Sequence, residues 1–175
     1  MPTSLGPLGP NVPLAYGTAG FRARAELLDS TFFRMGALAA LRSRLRGGLA
    51  VGLMVTASHN PEPDNGIKLI DTEGVSAGGS GRVRPRAYFP PHPCSQGMLE
   101  VSWEAHATAL ANAPDDGVHS AIEAIATSSG VSASSGPASV LVARDTRSHS
   151  SRLASLALEG AGAMGEVKVE DFGVL

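Results

Sequence analysis

The chain has 175 residues, with 14 basic and 16 acidic side chains, 43% hydrophobic residues and a single cysteine, Cys94. Near-balanced charge leaves no electrostatic footprint for nucleic acid or a membrane surface, and no apolar run is long enough to span a bilayer. The N-terminus lacks the basic and apolar regions of a signal peptide, and one cysteine cannot close an internal disulfide, so a cytoplasmic protein with one real core is expected.

Residues 1–13 carry Pro2, Pro7, Pro10 and Pro13 with Gly6 and Gly9 and no apolar period, which predicts a disordered tail. The domain proper is expected over residues 14–175. Residues 14–22 read as a strand interrupted by Gly17 and Gly20, where the backbone can approach another group closely. Residues 30–46 read as a helix capped by Ser30. Its core face would be Phe32, Met35, Leu38, Leu41 and Leu45. Arg42, Arg44 and Arg46 fall in the last turn, where the helix dipole favours cations, and a solvated helix end is expected there. Gly47-Gly48 stops it.

The apolar run of residues 49–55 predicts a buried strand. Thr56-Ala57-Ser58-His59-Asn60-Pro61 ends it in a turn. This sets a serine hydroxyl at the mouth of a sheet, beside an imidazole and an amide. Asp64-Asn65-Gly66 reads as a tight turn, and Ile67-Lys68-Leu69-Ile70 as a second short strand. A strand, a nucleophile loop and a returning strand with one lysine make a plausible layout for covalent catalysis.

Residues 75–96 are rich in glycine and proline without a period, and little order is expected. Helices are predicted at 102–113, with Trp103, His106, Ala107 and Leu110 on one face, and at 116–126, with Val118, Ile122 and Ile125 inward. A small-residue loop comes next at 128–136. Residues 138–143 read as a strand ending in Arg144-Asp145-Thr146-Arg147. Ser150 opens a last helix with Leu153, Leu156 and Ala157 inward, and Val167-Lys168-Val169 a last strand. Together these predict a mixed α/β domain of short strands layered with helices.

The string Thr56-Ala57-Ser58-His59-Asn60-Pro61, with Asn65-Gly66-Ile67-Lys68 after it, resembles the active-serine loop of the α-D-phosphohexomutases. The resemblance implies the three-layer mixed-sheet fold of that family's domain I. It also implies a phosphoserine at Ser58 that passes phosphate to one end of a hexose phosphate and takes it back from the other end of a bisphosphate intermediate. Gly17-Thr18-Ala19-Gly20-Phe21-Arg22 matches a family string whose arginine faces the site. Arg22 and Lys68 would then balance the phosphate, and His59 would act as proton shuttle or hydrogen-bond partner. Thr56, Asn60, Arg144 and Arg147 would support phosphate or substrate. The family's Gly-Arg-Asp-Thr-Arg string is altered here, with Ala143 in the glycine position. The string around Trp103, Glu104, His106 and Leu110 resembles the acetylglucosamine-phosphate branch, which implies a hexosamine phosphate substrate and a sugar bisphosphate intermediate.

The resemblance implies Mg²⁺ as cofactor, reached here through the Ser58 phosphate alone. The family's metal loop, Asp-Gly-Asp-x-Asp-Arg, belongs to a second domain and is not found in this sequence. The chain therefore reads as domain I without domains II–IV, expected to turn over little by itself. Residues 75–96 interrupt the resemblance and read as an insertion, compatible with a retained intron translated in frame or with a genuine lineage-specific loop. The alternatives are a non-catalytic fragment that acts by binding, or a mutase of the phosphoglucomutase/phosphomannomutase type. A serine hydrolase would want a Gly-x-Ser-x-Gly elbow, whereas Ser58 sits in Ala-Ser-His-Asn.

Overall fold

The computed structural model describes residues 6–7, 9, 12–17, 19–71 and 101–175. The expected insertion at 75–96, with Cys94, lies outside the described residues, as does Thr18. Among the described residues the elements run β1 (Phe21–Arg24), α1 (Asp29–Leu45), β2 (Val51–Val55), β3 (Asp64–Ile70), α2 (Val101–Ala111), α3 (Val118–Ser128), β4 (Ser139–Arg144), α4 (Ser150–Gly162) and β5 (Lys168–Val174). The five strands form one mixed sheet in the order β1-β3-β2-β4-β5. β3 runs antiparallel to both β1 and β2, whereas β2, β4 and β5 run parallel.

Alternation along the strands decides the faces. Phe21, Val51, Leu53, Val55, Ile67, Leu69, Val140 and Val142 are buried on one face. Their neighbours Gly52, Met54, Lys68 and Leu141 are only half-buried on the other. Helices α1 and α4 pack on the buried face, while α2 and α3 pack on α1 rather than on a strand. α1 thus lies inside the domain, and every residue from Ser30 to Arg44 is buried. It meets α4 backbone to backbone. A Cβ on Gly36 would lie 1.8 Å from the Ala157 carbonyl oxygen, and one on Gly160 1.8 Å from that of Phe33. Only glycine permits that approach.

This central position corrects the amphipathic reading of α1. Ser30 is not its cap; the helix begins at Asp29 and Ser30 is buried in the first turn. Leu45 is 38% exposed, whereas Arg42 and Arg44 are buried, not solvated. Arg44 donates to the carbonyls of Ala133 and Met164, both at 2.6 Å, and of Gly136 at 3.3 Å. Arg42 donates to Asp71 and lies 5.0 Å over the Trp103 ring. Arg34 collects the carbonyls of Leu110, Ala111 and Ala113 at the end of α2, together with Asp115. Burial pushes the Arg34 and Arg44 guanidinium groups down from the ordinary arginine value. Carbonyls from other segments replace the water each guanidinium loses.

The chain enters along α2 and crosses to the sheet. Gly9 donates to Asp115, and Asn112 exchanges hydrogen bonds with the Leu14 backbone. The Tyr16 hydroxyl accepts from the Leu69 amide, and burial pushes its pKa up to about 12. A bridge between Gly17 and Gly20 reverses the chain into β1. Gly20, at φ +82°, sits so close to β3 that a Cβ would fall 2.1 Å from the Ile67 carbonyl. The last strand, β5, runs to Val174, longer than its apolar start at Val167 predicts. It is an edge strand, largely exposed, and so lacks the hydrophobic alternation that marks a half-buried one.

Candidate active site

β2 ends at Val55, and the chain then makes two turns before β3. The Asn60 amide donates to the Ala57 carbonyl at 2.8 Å, closing a turn with Ser58 and His59 at its two central positions. Both side chains are exposed. The Asp64 amide donates to the Pro61 carbonyl at 3.0 Å, closing the second turn. This corrects the reading of Asp64-Asn65-Gly66 as the turn: all three lie in β3. Gly66 is there for space, because a Cβ would lie 2.5 Å from the Phe21 carbonyl. Asn65 is fully buried.

The turns are held from behind by the segment that links β4 to α4. Arg147 Nη1 donates to the carbonyls of Pro61 at 2.7 Å, Asp64 at 2.8 Å and Glu62 at 3.3 Å. Its Nη2 donates to those of Ala57 at 2.7 Å and Asn60 at 3.0 Å. One guanidinium thus gathers the loop's carbonyl oxygens onto itself, away from the surface where Ser58 stands. Asp145 holds the guanidinium in turn, at 3.3 Å from Nε. It also accepts from the Thr56 hydroxyl at 3.0 Å, the Ser150 hydroxyl at 2.5 Å and the Arg147 amide at 3.1 Å. Burial pushes the Asp145 carboxyl up, but these hydrogen bonds and the Arg147 charge together hold it below the usual carboxylate range.

The sequence-predicted residues divide into four groups. Ser58, His59 and Asn60 form the first turn, and Asn60 ties it to the second through a 3.0 Å bond to Asp64. Arg22 and Lys68 approach along the outward face of the sheet. Arg22 pairs with Gly66 in register, Lys68 lies two residues on, and Arg22 Nη1 reaches Asn60 Oδ1 at 3.5 Å. Lys68 has no ion-pair partner among the described residues. Thr56 and Arg147 are brought to the loop but from beneath it. Arg144 is not brought in: it pairs with both oxygens of Asp171 at 2.6 Å. The β4–β5 register, shifted between Val142 and Arg144, places that acid within its reach. The motif includes Asn65 but, read as part of a turn, assigns it no role, and it does not reach His149 or Ser150.

Residues 28–82 match the family described as "Phosphoglucomutase/phosphomannomutase, alpha/beta/alpha domain I". The chain is 41% identical to the phosphoacetylglucosamine mutase of Sus scrofa, over 93% of this chain and 25% of that protein. Among solved structures it is similar to an N-acetylglucosamine-phosphate mutase of the α-D-phosphohexomutase superfamily in a product complex, at 36% identity and a TM-score of 0.80. That match covers 97% of this chain and 28% of the other. It is also similar to the Aspergillus fumigatus N-acetylphosphoglucosamine mutase in complex with GlcNAc-6P and magnesium. There the identity is 39% and the TM-score 0.74, over 95% of this chain and 26% of the other. The chain thus spans about a quarter of the length of the curated relatives it matches.

Proposed function

We propose that this chain is domain I of a phosphohexomutase and carries the phosphorylated serine of a phosphoacetylglucosamine mutase, with Ser58 as that serine. The reaction would interconvert N-acetylglucosamine 6-phosphate and 1-phosphate. The Ser58 Oγ–P bond breaks as a bond from phosphorus to a sugar hydroxyl oxygen forms. The hydroxyl proton passes to a base, for which exposed His59 is the candidate on this chain, and the freed Ser58 Oγ takes up a proton in its place. The bisphosphate then turns end for end and returns its other phosphate to Ser58. Arg22 and Lys68, on the adjacent sheet face, supply positive charge to the phosphoryl group. Thr56, Asn60 and Arg147 serve by fixing the loop.

A magnesium ion needs several oxygen ligands. The described residues hold no group of three His, Cys, Asp or Glu side chains that could bind a metal. The chain's own contribution would be an oxygen of the Ser58 phosphate. The observation that carries the reading is the place of Ser58 in an exposed turn whose carbonyls are drawn beneath it.

The test is to incubate the chain with glucose 1,6-bisphosphate and Mg²⁺ and map phosphate by mass spectrometry. Phosphate on Ser58, absent in S58A, is expected, with little mutase turnover by this stretch alone. Phosphate on another serine while Ser58 stays bare would overturn the assignment.

A further inference from the structure

A second layer of polar side chains lies behind the serine loop, and the direction of each hydrogen bond in it can be fixed. Asn65 Oδ1 accepts from the Gly66 amide at 2.8 Å, so the other branch of its side chain is the NH₂ donor. That donor lies 2.8 Å from Ser150 Oγ and 2.8 Å from His149 Nδ1. The Ser150 hydroxyl donates its own hydrogen bond to Asp145. His149 Nδ1 must therefore offer a lone pair, and the imidazole proton resides on Nε2. Nε2 lies 3.0 Å from the Glu62 carbonyl, in the loop between Ser58 and β3.

We infer that His149 is a positioning residue for the Ser58 loop, holding it as the neutral imidazole protonated on Nε2. Arg147 already carries the Glu62 carbonyl at 3.3 Å, its longest bond to the loop. His149 supplies the shorter second donor at that carbonyl. Without it the Glu62 carbonyl would keep only the long Arg147 bond, and the turn bearing Ser58 is tied to the second one through Asn60 and Asp64. Asn65, fully buried in β3, is what selects the tautomer. A proton on Nδ1 would set N–H against NH₂. The charged groups of this cluster are Asp145 and Arg147 after β4, Asp64 at the start of β3 and Glu62 in the loop. Both Asp145 oxygens already accept from Ser150, Thr56 and Arg147. The geometry of this inference is independent of the proposed reaction; its catalytic consequence rests on Ser58 being the phosphate acceptor.

The experiment compares wild type, H149A and H149Q; glutamine keeps an amide N–H able to reach the Glu62 carbonyl and does not titrate. Imidazole ¹⁵N NMR of the wild type should show His149 protonated on Nε2 and bare on Nδ1. Backbone ¹⁵N relaxation should show Asn60 and Asp64 more mobile in H149A, with H149Q close to wild type. Ser58 phosphorylation from glucose 1,6-bisphosphate should fall about tenfold in H149A, as expected for a displaced reacting group, and be largely recovered in H149Q. The opposite tautomer, or unchanged relaxation in H149A, would overturn the inference. If H149A does not fold, the wild-type tautomer and the relaxation of H149Q decide it. Failure of the wild type to take phosphate on Ser58 would refute the proposed function and leave the tautomer and relaxation results to judge His149.

Discussion

Arg44 and Arg147 use the same chemistry in two places with different consequences. Each guanidinium gathers main-chain carbonyls from segments distant in sequence. Arg44 joins the end of α1 to the loop before β4 and to Met164 beyond α4, with the domain closed around it. Arg147 joins the end of β4 to a loop whose opposite side is open. Loss of the first removes support from the core. Loss of the second leaves the core intact and frees the turn that presents Ser58. An arginine staple is thus a stability device or a positioning device according to whether the segment it holds is covered.

R44A should give the largest loss of stability, about 3 kcal/mol by urea unfolding, because buried carbonyls lose their donor. R147A should cost less, about 1 to 2 kcal/mol, since loop carbonyls can turn to water. If the two losses prove equal, the contrast between covered and open staples fails. D145N sharpens it through pH. The folded Asp145 carboxyl is held below its ordinary value, so its stabilisation is present above the unfolded pKa of about 3.9 and is lost as pH falls through the folded value. Urea midpoints of wild type and D145N should differ at pH 6 and converge below about pH 4; a constant gap would show that the charge on Asp145 contributes nothing. R144A should be the mildest change, under about 1 kcal/mol, because its pair with Asp171 is partly exposed.

Sequence reasoning reached the strand, the serine turn and the returning strand because apolar runs and turn residues are local signals. The helices α2 and α3 fall within about two residues of their predicted bounds, and α4 opens at the predicted Ser150, for the same reason. The burial of Arg42 and Arg44 was not legible: spacing shows which face of a helix is apolar, but not that other segments cover the remaining faces. Asn65 and His149 were hidden likewise. Asp-Asn-Gly is a turn signal by composition, and only the pairing of β3 with β1 shows it to be strand. His149 has no meaning in sequence until β4 brings it beneath a loop more than eighty residues earlier. The motif located the hydroxyl, and tertiary contact supplied the groups that hold it.

The most direct test of the account is the rate at which Ser58 takes phosphate from glucose 1,6-bisphosphate in R147A, set against wild type under conditions where both are fully folded by circular dichroism. The account predicts a loss of about 100-fold, the scale expected when a reacting group is misplaced by about an ångström. Unchanged labelling of Ser58 in folded R147A would contradict it.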